Sequence, residues 1–411
     1  MNQKYYRFLF VLFLALLLIS CGKNDDPTPT ETSFVFLESE KQLGTITQNS
    51  AQLLFNLLAA QFDDDGTMDN EVSSGAQVYK VTYNTTFEDD PLLVSGLISV
   101  PDKPGNYPVI SFQNGTNVEY SKAPTVDQSN ELFLVLKNFA ALGFIVVIPD
   151  YPGFGESTQV FHPYLEKDNT LPSLVDLLKA TREFVSQEHI SASLNEDLYL
   201  MGYSQGGWST MQLKHEIEQN GLEDYQLKAT TCGAGPYNLN LLNELIVEQD
   251  SYPMPYFLAY LMKAYHVHNK YPNPLNEIFA DQYAAKIPEL FNGVTPGNAI
   301  NDELTTQVED LFQAGFRTGY ATNTQYQPIQ TALAQNSVQP WKTTSPTRLF
   351  HGEADTYVPL QLSVQMHEGF KALNVSDDLI KLVKLPGADH QSAILPFGVA
   401  SINWFIDLKN K

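Results

Sequence analysis

From Ala76 onward, short apolar runs rich in β-branched residues alternate with longer amphipathic stretches. The runs YPVISFQ and GFIVVIPD are bounded by turn residues, as expected for strands buried on both faces of a parallel sheet. The stretch between them, ELFLVLKNFAALG, has the spacing of a helix and ends in a glycine. The alternation, interrupted by one segment, runs to Lys411, and it predicts an α/β fold with a mostly parallel, eight-stranded sheet and helices on both faces.

One strand-to-helix junction carries glycines around a serine. In LYLMGYSQGGWSTMQLK, residues 198–214, Gly202, Ser204 and Gly206 fit the pattern G-x-S-x-G. In that pattern a serine lies at the apex of a sharp turn between a strand and a helix. The pattern alone is a weak signal, because an ordinary tight turn also uses glycines. Whether Ser204 is a nucleophile depends on the groups that the rest of the chain supplies.

The segment from Tyr237 to Pro340 breaks the alternation. It lacks clear strand patterns and contains aromatic helical pieces such as YPMPYFLAYLMKAYHVH. A structureless loop of this length is uncommon in a compact domain. We therefore expect a helical insertion at 237–340, a lid or cap over the sheet edge, between a first core part at 34–236 and a second at 341–411. A purely structural helical subdomain is the alternative, since apolar helices most often pack in cores.

The first residues have the pattern of an export signal. Lys4 and Arg7 precede an apolar run from Phe8 to Ile19, and Cys21 follows shortly after it. The run is shorter than the roughly 20 residues that a membrane-spanning helix needs, but it suits a signal peptide. The ending LISC resembles a bacterial lipobox, in which the cysteine is lipidated after cleavage.

This resemblance implies a lipoprotein signal peptide at residues 1–20 and a lipid on Cys21. Residues 21–33 are polar and rich in Pro and Thr, which predicts a flexible tether. We therefore expect an exported protein, anchored by lipid to a bacterial cell membrane on its periplasmic or cell-surface face. An uncleaved membrane anchor is the alternative.

Composition narrows the classes of partner. Apolar residues make up 43% of the chain and charged residues 17%, which is typical of a globular protein. The formal net charge of −23 argues against nucleic-acid binding, because contact with phosphates needs a basic surface. It argues equally against attraction to acidic lipid headgroups, so the membrane contact that we expect is the lipid on Cys21.

Serine becomes an effective nucleophile when a histidine, held by a carboxylate, takes its proton. Two candidate partners follow predicted strands, where the loops of a parallel sheet converge at one edge. Asp355 lies in LFHGEADTYVPL, and His390 lies in LVKLPGADHQS. The order Ser204, Asp355, His390 matches one known chain order of catalytic triads.

Other residues compete for these roles. Glu353 could replace Asp355 as the acid. His162, in FHPYL, precedes the serine, which is the wrong order for the base, and we expect His351 to be a packed, hydrogen-bonded histidine at a strand end. The non-catalytic alternatives for the three candidates are a tight turn, a loop histidine and a helix N-cap aspartate.

Together these pieces resemble an α/β-hydrolase of the esterase and lipase kind, close in pattern to secreted lipases and carboxylesterases. The matching pieces, in order, are FQNGT, PDYPGFGES with HPYL, GYSQGG, GEADTYVP and GADH. They cover the core from about Ala76 to Lys411, without the insertion. The resemblance implies that Ser204 is the nucleophile, His390 the general base and then acid, and Asp355 the residue that orients the imidazole.

The same resemblance implies an oxyanion hole with two donors. One is the backbone N–H of Gln205, directly after the nucleophile. The other comes from the loop after YPVISF, where many relatives have His-Gly and this chain has Asn114-Gly115-Thr116. We expect the N–H of Thr116 to donate, with Asn114 as the next candidate.

The expected reaction is hydrolysis of a small-molecule carboxylic ester through an acyl-enzyme, with no metal, organic cofactor or obligate protein partner implied. Abundant aromatic residues and the apolar insertion suit an acyl chain or an aromatic acid. A serine peptidase of the prolyl-oligopeptidase type is one alternative, although no repeated strands of a propeller precede the core. A catalytically silent hydrolase fold that only binds is another.

Overall fold

The computed structural model describes residues 34–62 and 67–411. The expected signal peptide, the lipidation site Cys21 and the expected tether lie outside these residues. Within the described part of the chain, no helix has both the length and the apolar character that crossing a membrane requires. Residues 35–411 form one compact unit.

A single sheet organises the described residues. Its nine strands are β1 Leu37–Ile46, β2 Ala76–Phe87, β3 Asp90–Pro101, β4 Gly105–Gln113, β5 Ile145–Pro149, β6 Ala192–Tyr203, β7 Gln226–Gly233, β8 Thr347–Gly352 and β9 Ile380–Leu385. Their order across the sheet is β1-β2-β3-β5-β4-β6-β7-β8-β9. The pairs from β1 to β5 are antiparallel, and every pair from β5 to β9 is parallel.

Helices fill the connections. In the first part of the chain they are α1 Gln48–Phe62, α2 Thr67–Asn70, α3 Glu131–Asn138, α4 Lys167–Val185 and α5 Gln205–Asn220. Between β7 and β8 they are α6 Leu239–Val247, α7 Pro255–Val267, α8 Asp281–Ala284, α9 Ile287–Leu290, α10 Gly297–Glu303, α11 Val308–Leu311, α12 Ala314–Gly319 and α13 Gln327–Asn336. The last two are α14 Gln361–Ala372 and α15 Ile394–Lys409, and short 3₁₀ turns lie at 120–122, 139–142, 155–157, 275–277 and 324–326.

The α/β class and the mostly parallel sheet are confirmed, with one more strand than the eight that the sequence predicts. The additional strand is β1, at the edge of the sheet. In its sequence, LESEKQLGTI, only Leu37 is buried. Because the strand is solvated along most of its length, it lacks the apolar run or strict alternation by which strands are recognised in a sequence.

The parallel strands bring several loop residues to one edge of the sheet. Asn114 directly follows β4, Asp150 directly follows β5, and Ser204 directly follows β6. Asp355 and His390 come within a few residues of the ends of β8 and β9. Since parallel strands end at the same edge, these five side chains start from neighbouring positions.

Apolar clusters cover the sheet on both faces. On one face, Phe55 of α1, Phe133 of α3 and Phe397 of α15 pack with Met201 of β6. On the other face, Trp208 of α5 belongs to a cluster that continues through the helices of the insertion and into α14. The insertion therefore shares a core with the sheet and has no separate apolar core of its own.

Hydrogen bonds also hold the insertion to α5, the helix that begins directly after Ser204. The carbonyl of Asn336, at the end of α13, accepts from Trp208 Nε1–H at 2.9 Å and from Gln212 Nε2–H at 3.0 Å. The two ends of the insertion meet where the Val338 N–H donates to the Tyr237 carbonyl at 2.7 Å. These bonds fix the part of the insertion that lies next to α5.

Candidate active site

The turn from β6 into α5 holds Ser204 in an unusual backbone conformation. Its φ is 61° and its ψ is −122°, a region that residues with a side chain rarely adopt and that is often found at functional sites. The Ser204 N–H donates to the Gly233 carbonyl at 2.8 Å. A Cβ at Gly202 would lie 2.3 Å from the Gly206 carbonyl, and one at Gly206 would lie 1.8 Å from the Gln113 carbonyl. Both flanking glycines are therefore required by the close approach of the backbone.

The structure brings Ser204, His390 and Asp355 together. Ser204 Oγ lies 2.9 Å from His390 Nε2, and His390 Nδ1 lies 2.7 Å from Asp355 Oδ2. The three residues are only 8%, 7% and 9% exposed. Because an ionised carboxylate only accepts hydrogen bonds, Nδ1 carries the proton and Nε2 is free to accept from the serine hydroxyl.

Asp355 is surrounded by donors. Its Oδ1 accepts from the N–H groups of Tyr357 and Val358, each at 2.9 Å, and His351 Nε2 lies 3.4 Å from Oδ2. Burial by itself raises the pKa of the Asp355 carboxyl, but the hydrogen bonds from His351, His390 and Val358 hold it well below its usual range. Asp355 is therefore ionised at neutral pH and able to stabilise an imidazolium at His390.

The competing residues take other positions. His351 is fully buried and makes the structural contacts expected of it: Nδ1 accepts from Ser363 Oγ at 2.7 Å, and Nε2 donates to the Val358 carbonyl at 2.8 Å. Its approach to Asp355 was not foreseen from the sequence. Glu353 makes no hydrogen bond with His390 among the described residues, and it lines a groove beside α14 together with Asp355.

The expected oxyanion donors lie beside Ser204. Gln205 is the first residue of α5, and a helix leaves its first N–H groups without an internal partner. Within the described residues, the backbone N–H groups of Gln205 and Thr116 meet no hydrogen-bond acceptor. A Cβ built on Gly115 would lie 3.7 Å from Ser204 Cβ, so the loop after β4 passes directly over the serine.

The side chain of Asn114 is the other candidate donor on this loop. It is 4% exposed, and its Oδ1 has no partner among the described residues. An amide oxygen only accepts hydrogen bonds, so the unpaired Oδ1 could bind a donor of a ligand, whereas donation to an oxyanion would have to come from Nδ2–H. A cavity of about 310 Å³ opens beside this loop and is lined by Asn114 to Glu119, Tyr256 and Gly297.

Aromatic side chains enclose His390. The Tyr203 hydroxyl donates to the His390 carbonyl at 2.7 Å, and the ring of Tyr357 lies 5.2 Å from the imidazole. Phe257 and Tyr256 of α7 extend this aromatic wall into the insertion. The sequence analysis missed these residues; Tyr203 and Tyr357 lie one and two positions from Ser204 and Asp355, but no pattern indicates where their rings point.

His162, set aside as a base, is also buried near the site. Its Nδ1–H donates to the Pro152 carbonyl at 2.8 Å, and its Nε2 accepts from Gln205 Nε2–H at 2.7 Å. It therefore contacts the side chain of an expected oxyanion residue. In residues 34–62 and 67–411, no group of three or more His, Cys, Asp or Glu side chains is placed to hold a metal ion.

The chain is similar to known proteins both in sequence and in fold. The sequence model of the "Alpha/beta hydrolase family" matches residues 128–398. No curated protein matches the chain. Among solved structures, a presumed hydrolase from Legionella pneumophila has a TM-score of 0.80 and 25% identity, covering 92% of this chain and 99% of its own.

Two further structures are similar in fold. The rice cell wall degrading esterase LipA from Xanthomonas oryzae has a TM-score of 0.73 and 24% identity, covering 91% of this chain and 97% of its own. Candida antarctica lipase A has a TM-score of 0.63 and 15% identity, covering 91% of this chain and 81% of its own. These matches cover both the core and the insertion.

Proposed function

Because the chain belongs to the alpha/beta hydrolase family, we propose that it is a serine hydrolase that cleaves carboxylic esters through an acyl-enzyme. The strongest support is the hydrogen-bonded chain from Ser204 through His390 to Asp355, with distances of 2.9 Å and 2.7 Å. The esterase and lipase among the structural neighbours favour an ester over an amide.

In the proposed reaction, His390 Nε2 takes the hydroxyl proton while Ser204 Oγ attacks the ester carbonyl. The proton then passes to the departing oxygen, so an alcohol leaves and an acyl-serine remains. The same imidazole takes a proton from water, which attacks the acyl-serine. It then gives that proton to Ser204 Oγ as the acid is released, so the free enzyme is restored. Asp355 holds the Nδ1–H tautomer and stabilises the imidazolium.

The carbonyl oxygen becomes negative in each tetrahedral intermediate. We propose that the N–H of Gln205 donates to it together with the N–H of Thr116, with the Asn114 amide as the alternative second donor. Neither N–H has another acceptor among the described residues, which favours this role. Removing one such donor typically costs about 3 kcal/mol of transition-state stabilisation.

The substrate that fits best is a small-molecule ester with an apolar or aromatic acyl group. The rings of Tyr357, Phe257 and Tyr256 form an aromatic wall beside His390, and such walls bind apolar groups. The more polar cavity beside Asn114 suits the alcohol part.

One experiment tests the nucleophile and the bond type. A fluorophosphonate probe should label the wild-type protein and fail to label Ser204→Ala, while Ser193→Ala, an exposed serine at the opposite end of β6, should be labelled as the wild type is. A panel of acyl esters and aminoacyl-prolyl amides should show turnover of the esters. A folded wild type without labelling would favour a binding protein, and faster amide cleavage would favour a peptidase.

We also propose that the protein is exported and anchored by a lipid on Cys21. The apolar run ending in LISC and the polar segment after it support this. Mass spectrometry of the protein from its native membranes should find a diacylated Cys21 at the N-terminus. Cys21→Ser should release the protein from the membrane fraction, and an unmodified N-terminal Met1 would contradict the assignment.

A further inference from the structure

Residues 150–164, which follow β5, form a segment that folds back beside the candidate active site; we call it the support segment. Its first residue, Asp150, is buried and accepts hydrogen bonds from the N–H and the hydroxyl of Thr125. Gly153 has a φ of 94°, and a Cβ there would lie 2.6 Å from the backbone nitrogen of His162. Because residue 153 is a glycine, the backbone near the start of the segment can approach His162 near its end. Both parts of the segment then face the site.

Two tyrosines of the support segment bind the loop after β4. The Tyr151 hydroxyl donates to the Asn114 carbonyl at 3.1 Å. The Tyr164 hydroxyl shares a hydrogen bond of 2.8 Å with Thr116 Oγ1. Both tyrosines are buried, so each end of the three-residue oxyanion loop is held by a side chain that is itself fixed by packing.

The histidine of the segment binds the opposite side of the site. His162 Nε2 accepts from the side chain of Gln205 at 2.7 Å, and its Nδ1–H donates to the Pro152 carbonyl. Burial lowers the pKa of His162 to about 4, so the ring is neutral at neutral pH and Nε2 remains an acceptor. The first residue of α5 is thereby tied to the support segment.

These three side chains form one packed group. The ring of His162 lies 5.6 Å from that of Tyr151 and 6.2 Å from that of Tyr164. Tyr164 in turn stacks at 4.6 Å on Tyr260 of the insertion. Because buried side chains are close-packed, displacing one of these rings would shift the others.

We propose that Tyr151, His162 and Tyr164 are positioning residues that hold the two sides of the oxyanion hole, the Asn114–Thr116 loop and Gln205, at the separation needed to bind an oxyanion; this inference rests on the proposed function. The two sides belong to a loop and to a helix start, and donors of this kind act only when they are held in place before the reaction. One side-chain cluster that contacts both of them supplies that restraint.

Two substitutions of His162 separate its contacts. His162→Gln keeps an acceptor at the position of Nε2 and hence the contact with Gln205. His162→Asn keeps a donor toward the Pro152 carbonyl but loses the contact with Gln205. We expect His162→Asn to lower kcat for an ester about 10- to 100-fold with little change in KM, because small misplacements of catalytic groups are costly. His162→Gln should retain most of the wild-type kcat.

Tyrosine variants, with a matched control, test whether the two hydroxyl groups hold the Asn114–Thr116 loop in place. Tyr151→Phe and Tyr164→Phe each remove one hydroxyl and should lower kcat several-fold or more. Tyr225→Phe removes a buried hydroxyl that donates to the Leu178 carbonyl at 2.8 Å, in a part of the core that does not contact the oxyanion loop. It should lower the melting temperature to a similar degree and leave kcat within about twofold of wild type, since a lost hydrogen bond affects stability wherever it lies.

A double-substitution cycle completes the test. Gln205→Met removes the side-chain partner and keeps the backbone N–H, so its effect on kcat should not add to that of His162→Asn. Wild-type kcat in folded His162→Asn, or equal kcat losses in Tyr164→Phe and Tyr225→Phe, would overturn the inference alone. If His162→Asn does not fold, the two tyrosine variants decide. A wild type that is neither labelled nor active on esters would overturn the proposed function and the inference with it.

Discussion

Two opposing influences act on the carboxyl group of Asp355. Burial disfavours the charged form, whereas two backbone N–H groups and His390 donate to it and His351 lies close by. The donors prevail, so the charge is kept in a place where few water molecules reach it. A carboxylate held in this way orients the imidazole of His390 before any substrate arrives.

We expect Asp355→Asn to lower kcat by about 10⁴-fold, because the amide favours the wrong tautomer of the imidazole. Ester hydrolysis at saturating substrate measures the loss. Asp389→Asn is the matched control, since Asp389 is an exposed carboxylate beside His390 that, among the described residues, accepts from Gln391 and Ser392 alone. Equal losses in the two variants would contradict the role of Asp355.

The buried His162 should make stability depend on pH. Its pKa is lowered to about 4 in the folded protein by burial, against about 6.5 in the unfolded chain. Between these values the unfolded chain therefore binds more protons than the folded protein. The free energy of unfolding falls by about 3 kcal/mol as the pH falls from 6.5 to 4. Asp150, whose pKa burial raises to about 6, acts in the opposite direction over this range.

Comparison with His162→Gln isolates the contribution of the histidine, because Asp150 is present in both proteins. Urea unfolding at pH 7 and at pH 4.5 measures it. The variant should lose less stability than the wild type between these two values. An identical pH dependence would mean that His162 titrates normally in the folded protein.

At the scale of elements, the junction of β6 and α5 depends on backbones that nearly touch. We expect Gly206→Ala to destabilise the protein by about 3 kcal/mol or more, because its Cβ would overlap the Gln113 carbonyl and the strand cannot move aside. Gly398→Ala, inside α15, meets nothing closer than Met201 Cε at 4.0 Å and should gain about 0.5–1 kcal/mol. Thermal unfolding of both variants checks the contrast, and a tolerated Gly206→Ala would refute the close packing.

A buried ion pair within α5 is hydrogen-bonded to the chain that returns from the insertion. Lys214 Nζ lies 2.6 Å from Glu218 Oε1, and both side chains are almost fully buried. Glu218 also accepts from Trp341 Nε1–H at 2.7 Å and from the Ser345 N–H at 2.9 Å. Burial raises the pKa of Glu218, but Lys214 and these hydrogen bonds lower it to about 2.

We expect Glu218→Gln to lower the free energy of unfolding by about 3–5 kcal/mol, because it leaves Lys214 as an unpaired buried charge. Glu303→Gln should leave stability nearly unchanged, since the pair of Glu303 with Lys286 is half exposed on both sides. Chemical denaturation at pH 7 compares the two variants. Similar small effects would show that the buried pair is neutralised or hydrated in solution.

At the scale of the whole molecule, one apolar cluster joins the sheet, α5 and the insertion. We therefore expect core and insertion to unfold in a single cooperative transition. Fluorescence of the tryptophans Trp208, Trp341 and Trp404 reports on the core, whereas the near-ultraviolet circular dichroism of tyrosine also includes the insertion, which holds nine of the 21 tyrosines. Coincident midpoints from the two signals, and one calorimetric peak, would agree with this expectation; a separate early transition of the tyrosine signal would contradict it.

The sequence was sufficient for the fold class because buried parallel strands and amphipathic helices have distinct periodicities. It was also sufficient to nominate Ser204, Asp355 and His390, since parallel strands deliver the loops that follow them to one edge. Whether these three residues meet depends on the topology of the sheet, and the order of strands and helices along the sequence indicates that topology.

Tertiary contacts explain what the sequence did not predict. Strand β1 is polar along most of its length, so only its pairing with β2 defines it. The contact of His351 with Asp355, four residues further on, depends on the turn that follows β8. The contact of His162 with Gln205 joins residues that are 43 positions apart, and no sequence pattern indicates either contact. The choice between Thr116 and Asn114 as donor depends on where an oxyanion sits, which pattern alone does not specify.

The meeting of the insertion's two ends at Tyr237 and Val338 has an evolutionary consequence. The backbone of the insertion leaves and returns at neighbouring points, so the distance that it spans between β7 and β8 does not depend on the number of residues between them. Helices of the insertion that do not pack on the sheet or on α5 can therefore be gained, lost or exchanged without altering the strand register that sets the spacing of Ser204, Asp355 and His390. Substrate preference is free to diverge between descendants of one ancestor while the reaction chemistry is inherited unchanged.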